Sequence, residues 1–487
     1  MNLPQKNDLY LLVLTIITLP ITIYSYLMGV FSDDIHVYFG VAKIADYFGS
    51  FPSNIDLAWE SKPLLNRMIF YGLYKIFAPL QDNELLFQIG TKAAVAVVIL
   101  CVCAYLAREV CKKCEHLNAY AVFLISALSL FTLHVFCIME CEFFAIIGSF
   151  LVLAMLMSVS RWANMAAGVV MVGVFLLKGL TGIMIPIILI SWCLLDKTDK
   201  WNKSIYAIKG IVGAAVVFTA SCIVWFPNFV PDNLMWFSMV KPNGLSLVDR
   251  TYWLVKESLE ILWYIPILCM GVIAFVCVIW DYIKSKEYTL AAGLTGAWVL
   301  ALSLTYIQSE FFIYHYSLWV FPAVISILLF LSARYGKSDI TGVLMVVGFT
   351  LCIWLVTSSV WTSGHEGIWG GIEADSQFIK QTYLLDKGES ILYMDFGNAA
   401  YYLGNPSACR YIAPLTIHHS NPDRDLSGLS EYKQQMECIM NYRGNYIIFS
   451  PQWFGVHEPA NTKIATEYRE VYKGDFWNLY QKVNIGI

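Results

Sequence analysis

The chain has 487 residues, of which 58% are hydrophobic and 14% are charged, and its formal net charge is −4. Soluble domains carry roughly 25% charged residues, so this composition excludes an ordinary soluble protein and is typical of a chain that crosses a membrane repeatedly. A slightly acidic chain also offers no basic surface for nucleic acid, and no nucleic-acid partner is expected.

Apolar stretches of about the length that a helix needs to cross a bilayer follow one another along the chain. The first covers residues 9–30 and is too long for the apolar part of a cleavable signal peptide, so it is expected to remain as an anchor. The others cover residues 92–107, 119–138, 143–160, 163–177, 180–195, 208–226, 258–280, 288–306, 316–333 and 339–358. The sequence therefore predicts a polytopic α-helical membrane protein with about 11 transmembrane helices.

The charges in the short loops predict how these helices are oriented. With the N-terminus in the cytoplasm, every short cytoplasmic loop is basic, as the positive-inside rule requires. Residues 63–77 are apolar and aromatic, but counting them as a further span would invert every later loop. They are therefore predicted to lie along the membrane interface, among the lipids, with the C-terminus on the outer side. The short loops favour a bacterial inner membrane, which places the C-terminal residues in the periplasm.

The character of the sequence changes near residue 358, where charged residues, Gly and Pro become frequent. Short β-like runs at residues 390–394, 446–449 and 476–479, with a helical segment at 376–385, predict a small α/β domain.

The predicted domain organisation follows from this change. Residues 1–358 form the membrane domain, in which residues 31–91 are a first outer loop with interfacial helices, and residues 359–487 form the extramembrane domain. Cys409 and Cys438 both lie in the outer domain, where they are either a disulfide or two free thiols.

Two acidic pairs are predicted on the outer side of the membrane. Asp33 and Asp34 follow the first span directly, and Glu140 and Glu142 flank Cys141 between two spans. One aspartate is enough to cap a helix, so the second is free to accept a proton from a hydroxyl group as a general base. For the glutamates, a place in the site and simple solvation at a helix turn are both open.

Several basic residues also fall on the outer side, against the positive-inside trend. The candidates for binding an anionic group, such as a phosphate that leaves in a reaction, are Lys62, Arg67, Lys178, Lys241 and Arg250. The sequence contains none of the glycine-rich phosphate-binding motifs, so an enzyme that uses a cytoplasmic nucleotide is disfavoured.

Short motifs carry a family resemblance. They are the acidic pair after the first span, the element from Trp59 to Leu64 (Trp-Glu-Ser-Lys-Pro-Leu), residues 177–179 (Leu-Lys-Gly), residues 315–322 and residues 401–411. In this order they resemble the GT-C superfamily of membrane glycosyltransferases, within it the protein O-mannosyltransferase and aminoarabinose transferase group.

The resemblance implies a sugar donor carried on a polyprenyl phosphate and a glycan, lipid or protein acceptor on the outer face of the membrane. It implies that Asp33 or Asp34 is the base and that Glu140 or Glu142 is a second acid near the acceptor. Lys62 and Lys178 would lie near the donor phosphate.

The same resemblance adds two residues to the donor-phosphate site, His315 and Tyr316. The chain departs from the family where Leu64 and Leu180 stand in place of proline, which leaves the substrate subclass open. Some relatives use a divalent ion, but no clear ligand set is present, so no metal site and no cofactor are predicted and a divalent ion stays open.

Rival functions make different predictions. A polysaccharide polymerase or ligase would use a lipid-diphosphate donor. A flippase or transporter would show charges at the middle of the membrane or inverted repeats, and neither is evident. A non-catalytic scaffold would tolerate replacement of the outer acids.

Overall fold

The computed structural model of the chain describes residues 6–29, 31, 33–48, 64–81, 83–114, 117–133, 139–196, 198, 200–224, 246–264, 266–308, 313–334, 369–383, 388–395, 398–409, 430–450 and 460–483. The helices in the N-terminal two thirds are α1 (Lys6–Met28), α2 (Asp33–Phe48), α3 (Leu64–Phe77), α4 (Glu84–Lys113), α5 (Ala119–Thr132), α6 (Cys141–Met157), α7 (Arg161–Leu177), α8 (Met184–Leu195), α9 (Trp201–Val224), α10 (Leu247–Tyr264), α11 (Pro266–Lys284), α12 (Tyr288–Gln308) and α13 (Val320–Arg334). The C-terminal elements are α14 (Trp369–Tyr383), β1 (Leu392–Met394), α15 (Asn398–Leu403), α16 (Ser430–Asn441), β2 (Tyr446–Phe449), α17 (Ala460–Glu467), β3 (Tyr468–Lys473) and β4 (Asn478–Lys482).

Within the described part of the chain, 6 helices are long and apolar enough to cross a membrane. They are α1, α4, α9, α11, α12 and α13 with the 3-10 turn before it, and the shorter apolar helices are α5, α6, α7 and α8. The sequence prediction of a polytopic helical membrane protein is confirmed. The predicted span at residues 339–358 lies outside the described residues.

The predicted span at residues 258–280 is wrong in its bounds. Helix α10 ends at Tyr264, and the next helix begins at Pro266, so the apolar stretch belongs to two helices. Proline suits the first turn of a helix because its missing N–H would have no partner there. The candidate span therefore starts later, at Ile267, and continues to Lys284.

One compact unit contains the apolar helices and consists of Met1–Val30, Leu80–Thr219 and Gly244–Thr362. In the span from His315 to Ala333, 89% of the apolar window is buried within the protein, whereas in α9 the buried share is 17%. Helices α7 and α9 cross with their backbones in contact, because a methyl group added at Gly168 would collide with Ala207 and one added at Gly210 with Met165. Small residues allow such close crossings within membranes.

The other compact unit consists of Phe31–Pro79, Ala220–Asn243 and Ser363–Ile487. Its sheet has the strand order β1-β2-β4-β3, in which β1 and β2 are parallel and the other pairs are antiparallel. Side chains alternate across the sheet, so Tyr393 and Ile448 pack on one face and Leu392 and Ile447 on the other.

Helices cover both faces of this sheet. Helices α2, α14 and α15 pack on one face, and α16 and α17 pack on the other. The predicted domain boundary at residue 358 falls outside the described residues and stays a prediction. The compact unit that holds the C-terminal sheet also holds α2 and α3, which the sequence did not indicate.

A disulfide joins Cys409 to Cys438, whose Cα atoms lie 5.9 Å apart. Of the two alternatives left open by the sequence, the structure has the disulfide. Both cysteines pack in the buried cluster on the face of the sheet that α16 and α17 cover. The bridge therefore fixes α16 to the chain that follows α15.

Candidate functional site

Three of the predicted site residues meet inside the first compact unit. The Lys178 amine donates a hydrogen bond of 2.6 Å to Glu142 Oε1. His315 Nε2 lies 3.5 Å from the Lys178 amine and 3.9 Å from the same carboxylate oxygen. The side chains of Glu142 and His315 are each 2% exposed, and that of Lys178 is 25% exposed. A buried carboxylate, an ammonium group and an imidazole thus form one cluster.

Each member of the cluster sits at the end of a helical segment. Glu142 is in the first turn of α6, where the helix dipole favours a carboxylate. Lys178 ends α7 with extended backbone angles, φ −162 and ψ 124, and a 3-10 helix over Gly179–Ile183 follows it. His315 belongs to another 3-10 helix, Ile313–Trp319. Because the groups come from three separate segments, packing of the helices decides their distances.

The segment around His315 is anchored by its aromatic neighbours. Tyr316 is fully buried, and its ring meets that of Trp319 edge to face with the centroids 5.0 Å apart. The Trp319 indole donates to Thr305 Oγ1 at 2.9 Å on α12. These contacts hold the 3-10 helix in place, so Tyr316, predicted to bind phosphate, has a clear packing role.

The second glutamate of the pair, Glu140, is also buried, at 3% exposure. It occupies the N-cap position of α6, but its side chain makes no capping hydrogen bond. Both glutamates are therefore buried in the protein, and their part in a catalytic site stays a prediction.

The remaining predicted residues are described only in part. Asp33 and Asp34 form the start of α2, but their side chains lie outside the described residues, as do Lys62 and Lys241 entirely. Arg67 is buried in the first turn of α3, in the second compact unit. Arg250 is half-buried in the first turn of α10.

Lys92 is a buried polar residue that the sequence reasoning missed. Its amine donates to the backbone oxygens of Leu27, at 2.8 Å, and of Gly29. These carbonyls lie at the C-terminal end of α1, where helical C=O groups lack intrahelical partners and a cation is favoured. Lys92 thus fixes the end of the first span, just before the aspartate pair. The signal that the sequence offered was a lysine at the edge of an apolar stretch.

His36 is the second residue that the sequence reasoning missed. It is 1% exposed on α2, one helical turn after Asp33, and its ring lies against those of Tyr401 and Tyr402 with centroid distances of 5.0 and 5.2 Å. The Tyr402 hydroxyl and His36 Nε2 are 3.4 Å apart. A lone histidine within an apolar helix resembles an ordinary core residue, so sequence offered a weak signal.

The cluster offers few ligands for a divalent ion. No three metal-binding side chains come together among the described residues. Glu142 and His315 are two metal ligands of suitable type. However, the Lys178 ammonium is hydrogen-bonded to Glu142 Oε1, the same oxygen that lies 3.9 Å from His315 Nε2. The cluster therefore does not fit a metal ion.

Solved structures of known proteins resemble the whole chain. ArnT from Cupriavidus metallidurans in the apo state is 13% identical with a TM-score of 0.59, covering 97% of this chain and 97% of that one. The same protein bound to undecaprenyl phosphate gives 12% identity and a TM-score of 0.57, over 97% and 98% of the two chains.

A second solved protein, the Archaeoglobus fulgidus oligosaccharyltransferase AglB in complex with an inhibitory peptide and a dolichol-phosphate, also resembles the chain. It is 11% identical with a TM-score of 0.53, over 91% of this chain and 69% of that one. No protein-family model and no curated protein sequence matches the chain. At these identities the likeness concerns the fold alone, which this chain shares with ArnT and with the oligosaccharyltransferase AglB.

Proposed function

We propose that the protein is a membrane glycosyltransferase that moves a sugar from a polyprenyl-phosphate donor to a glycan, lipid or protein acceptor. The observation that carries the proposal is the Glu142–Lys178–His315 cluster within a GT-C fold. Structures that share this fold were solved with undecaprenyl phosphate and with a dolichol-phosphate, which supports a lipid phosphate as part of the donor.

The proposed reaction is a single displacement. The acceptor hydroxyl oxygen forms a bond to the anomeric carbon while the bond from that carbon to the phosphate oxygen breaks. Asp33 or Asp34 takes the hydroxyl proton, and the electron pair of the broken bond leaves with the polyprenyl phosphate. Attack from the face opposite the leaving group inverts the anomeric carbon, and no covalent sugar–enzyme intermediate forms.

Lys178 is proposed to stabilise the phosphate as it leaves. Its side chain is partly exposed, which leaves room for a phosphate to approach, while the buried side chains of Glu142 and His315 lie beside its ammonium group. A cation fixed in a site of low dielectric stabilises developing negative charge more strongly than a solvated one. Lys62, Arg67, Lys241 and Arg250 remain candidates for further phosphate contacts.

We also propose that the site faces the outside of the membrane, with the N-terminus in the cytoplasm and the membrane being a bacterial inner membrane. The disulfide between Cys409 and Cys438 supports an oxidising compartment for the C-terminal unit.

Aromatic and basic side chains at the predicted cytoplasmic helix ends support the same orientation. Arg161 lies over the ring of Trp162 at 5.5 Å, and Lys284 lies over that of Trp280 at 4.9 Å. Both tryptophans are exposed, as expected at the level of lipid headgroups.

Purified protein in lipid nanodiscs tests the proposed reaction. We expect transfer of one sugar mass from a polyprenyl-phosphate sugar to an acceptor, detected by mass spectrometry, with inverted configuration detected by NMR. The double variant D33N/D34N should lose the transfer. Transfer from a diphosphate-linked oligosaccharide alone would favour a polymerase or ligase instead, and full activity of the double variant would remove the aspartates as the base.

A further inference from the structure

Helix α2, which begins with the aspartate pair, is nearly encased within the second compact unit. Along it Ile35, His36, Val37, Phe39 and Val41 are all less than 5% exposed. Val37 and Val41 share one buried cluster with residues of α14, α15 and the sheet. A helix buried on this scale takes its position from the domain around it.

The contact with α15 follows a single stripe of α2. His36, Gly40 and Lys43 recur at intervals of four and three residues, which places them on one face of the helix. The Lys43 amine donates to the Tyr401 carbonyl at 3.4 Å, and His36 lies against both tyrosine rings of α15.

Gly40 is where the two backbones come closest. A Cβ atom added there would lie 2.9 Å from the Tyr401 backbone nitrogen, a spacing that real side chains do not tolerate. Glycine therefore allows α2 and α15 to touch, and any side chain at this position must push them apart.

The sheet in turn holds α15. Asp395 follows β1 directly and accepts a hydrogen bond of 3.0 Å from the Ala399 backbone N–H, at the start of α15. The Tyr402 ring lies 6.1 Å from that of Trp477, just before β4. A continuous path of packed groups thus leads from the sheet through α15 to α2.

We propose that the C-terminal sheet positions the aspartate pair, acting through α15 on the stripe of His36, Gly40 and Lys43, with His36 as a positioning residue. The catalytic consequence rests on the proposed function. His36 does not touch the reacting atoms in this scheme. Its contact with Tyr402 fixes the start of α2, and Asp33 lies one helical turn before His36.

Two glycine variants of the full chain test the positioning. G40A should displace α2 by a few tenths of an ångström and lower kcat by about tenfold, since misplacement of catalytic groups by 1 Å costs on the order of a hundredfold. The donor KM should change less than about twofold, because α2 carries no proposed phosphate ligand. The matched control is G72A on α3, where an added Cβ meets nothing within 4 Å and kcat should stay unchanged.

Variants of the histidine separate positioning from simple packing. H36L removes the polar contact with Tyr402 and should lower kcat about as much as Y402F does. H36Q keeps an amide nitrogen near the position of Nε2 and should recover most of the rate. If H36Q is as slow as H36L while both proteins melt like the wild type, or if G40A and G72A are equally active, the proposal is wrong.

Hydrogen exchange gives a readout that does not need activity. In G40A, the peptide that covers residues 31–48 should exchange faster than in wild type, and in G72A it should not. Absence of sugar transfer by the wild-type protein would defeat the proposed function, whereas unchanged exchange in G40A would defeat the positioning by the sheet. The two failures are therefore distinguishable.

Discussion

Glu142 forms an ion pair with Lys178 in the structure. The carboxylate is buried at the first turn of α6 and holds the ammonium at 2.6 Å, with His315 on the same side. A donor phosphate that needs Lys178 must compete with this ion pair. In the proposed function, Glu142 is thus a competitor of the donor phosphate for Lys178.

The variant E142Q tests this competition. Without the negative charge, Lys178 should be released to the phosphate, so polyprenyl phosphate should bind about fivefold more tightly, which corresponds to about 1 kcal/mol. The measurement is a binding titration with polyprenyl phosphate in detergent or nanodiscs.

The matched control is E109Q. Glu109 is equally buried, with 2% of its side chain exposed, and it pairs with Arg108 and Lys112 at 2.7 and 2.8 Å elsewhere in the same unit. Its loss should leave donor binding unchanged. Weaker binding by E142Q would show instead that Glu142 only orients Lys178.

Asp196 makes a pH-dependent contribution to stability. Its burial raises the pKa of the carboxyl group, but hydrogen bonds from Lys203 and Thr198 outweigh that effect and lower the pKa from 3.8 to about 2. A depressed pKa means that the stabilisation is present above the unfolded value and is lost as the pH falls toward the folded value.

We therefore expect D196N to melt at a lower temperature than wild type at pH 7. The difference should shrink as the pH falls from about 4 toward about 2, because protonation removes the same charge from the wild-type protein. Thermal unfolding of both proteins across this range measures it. A difference that stays constant below pH 4 would contradict the assignment.

Among the elements, the crossing of α7 and α9 depends on glycine. The two backbones meet at Gly168 and Gly210, while Gly213, one turn further along α9, has open space around its Cβ position. Close backbone approach contributes to helix association within a membrane, where burial of apolar surface gives no advantage over lipid.

The pair G210A and G213A isolates this contact on one helix. G210A should destabilise the protein by about 2 kcal/mol, because the added methyl group has no room beside the Met165 backbone. G213A should be neutral or slightly stabilising, since alanine favours the helix. Thermal melting in detergent compares them, and equal melting temperatures would exclude a close crossing.

The sequence predicted some elements well and others poorly, for physical reasons. The long apolar helices and strands β1 and β2 have the residues of buried segments, and apart from the span predicted at residues 258–280 their positions agree with the structure. Strand β3 was missed because Tyr468–Lys473 carries charged side chains at the edge of the sheet, which protect an edge from further pairing.

The sequence singled out the three residues of the cluster but not their pairings. Glu142, Lys178 and His315 were each chosen for their charge or for the family resemblance, yet 36 and 137 residues separate Lys178 from its two partners. Only helix packing brings such distant positions together. Lys92 and His36 were missed because a single polar residue in an apolar helix resembles an ordinary member of a core.

At the scale of the whole molecule, the disulfide makes the stability of the folded protein depend on whether its compartment is oxidising or reducing. Cys409 and Cys438 are 29 residues apart, and closing a loop of this size contributes about 3.6 kcal/mol. Reductant should therefore lower the melting temperature of the wild-type protein and leave that of a C409A/C438A variant unchanged.

The same disulfide tests the proposed orientation of the protein in the membrane. In protein taken from cells and alkylated without reduction, both cysteines should stay unmodified by mass spectrometry, because the proposed orientation places the bond in the oxidising periplasm. A C-terminal alkaline phosphatase fusion should accordingly be active. Free, alkylated thiols with an inactive fusion would place the C-terminal unit in the cytoplasm.

The placement of α2 has a consequence for biosynthesis. Its partner Tyr402 is 366 residues further along the chain, and the strand that completes its core ends at Lys482. The ribosome must therefore release almost the entire polypeptide before this early helix has anything to pack against. If the proposed function is correct, a nascent chain that lacks α15 and β4 holds the aspartates of α2 without their final support and should not transfer sugar.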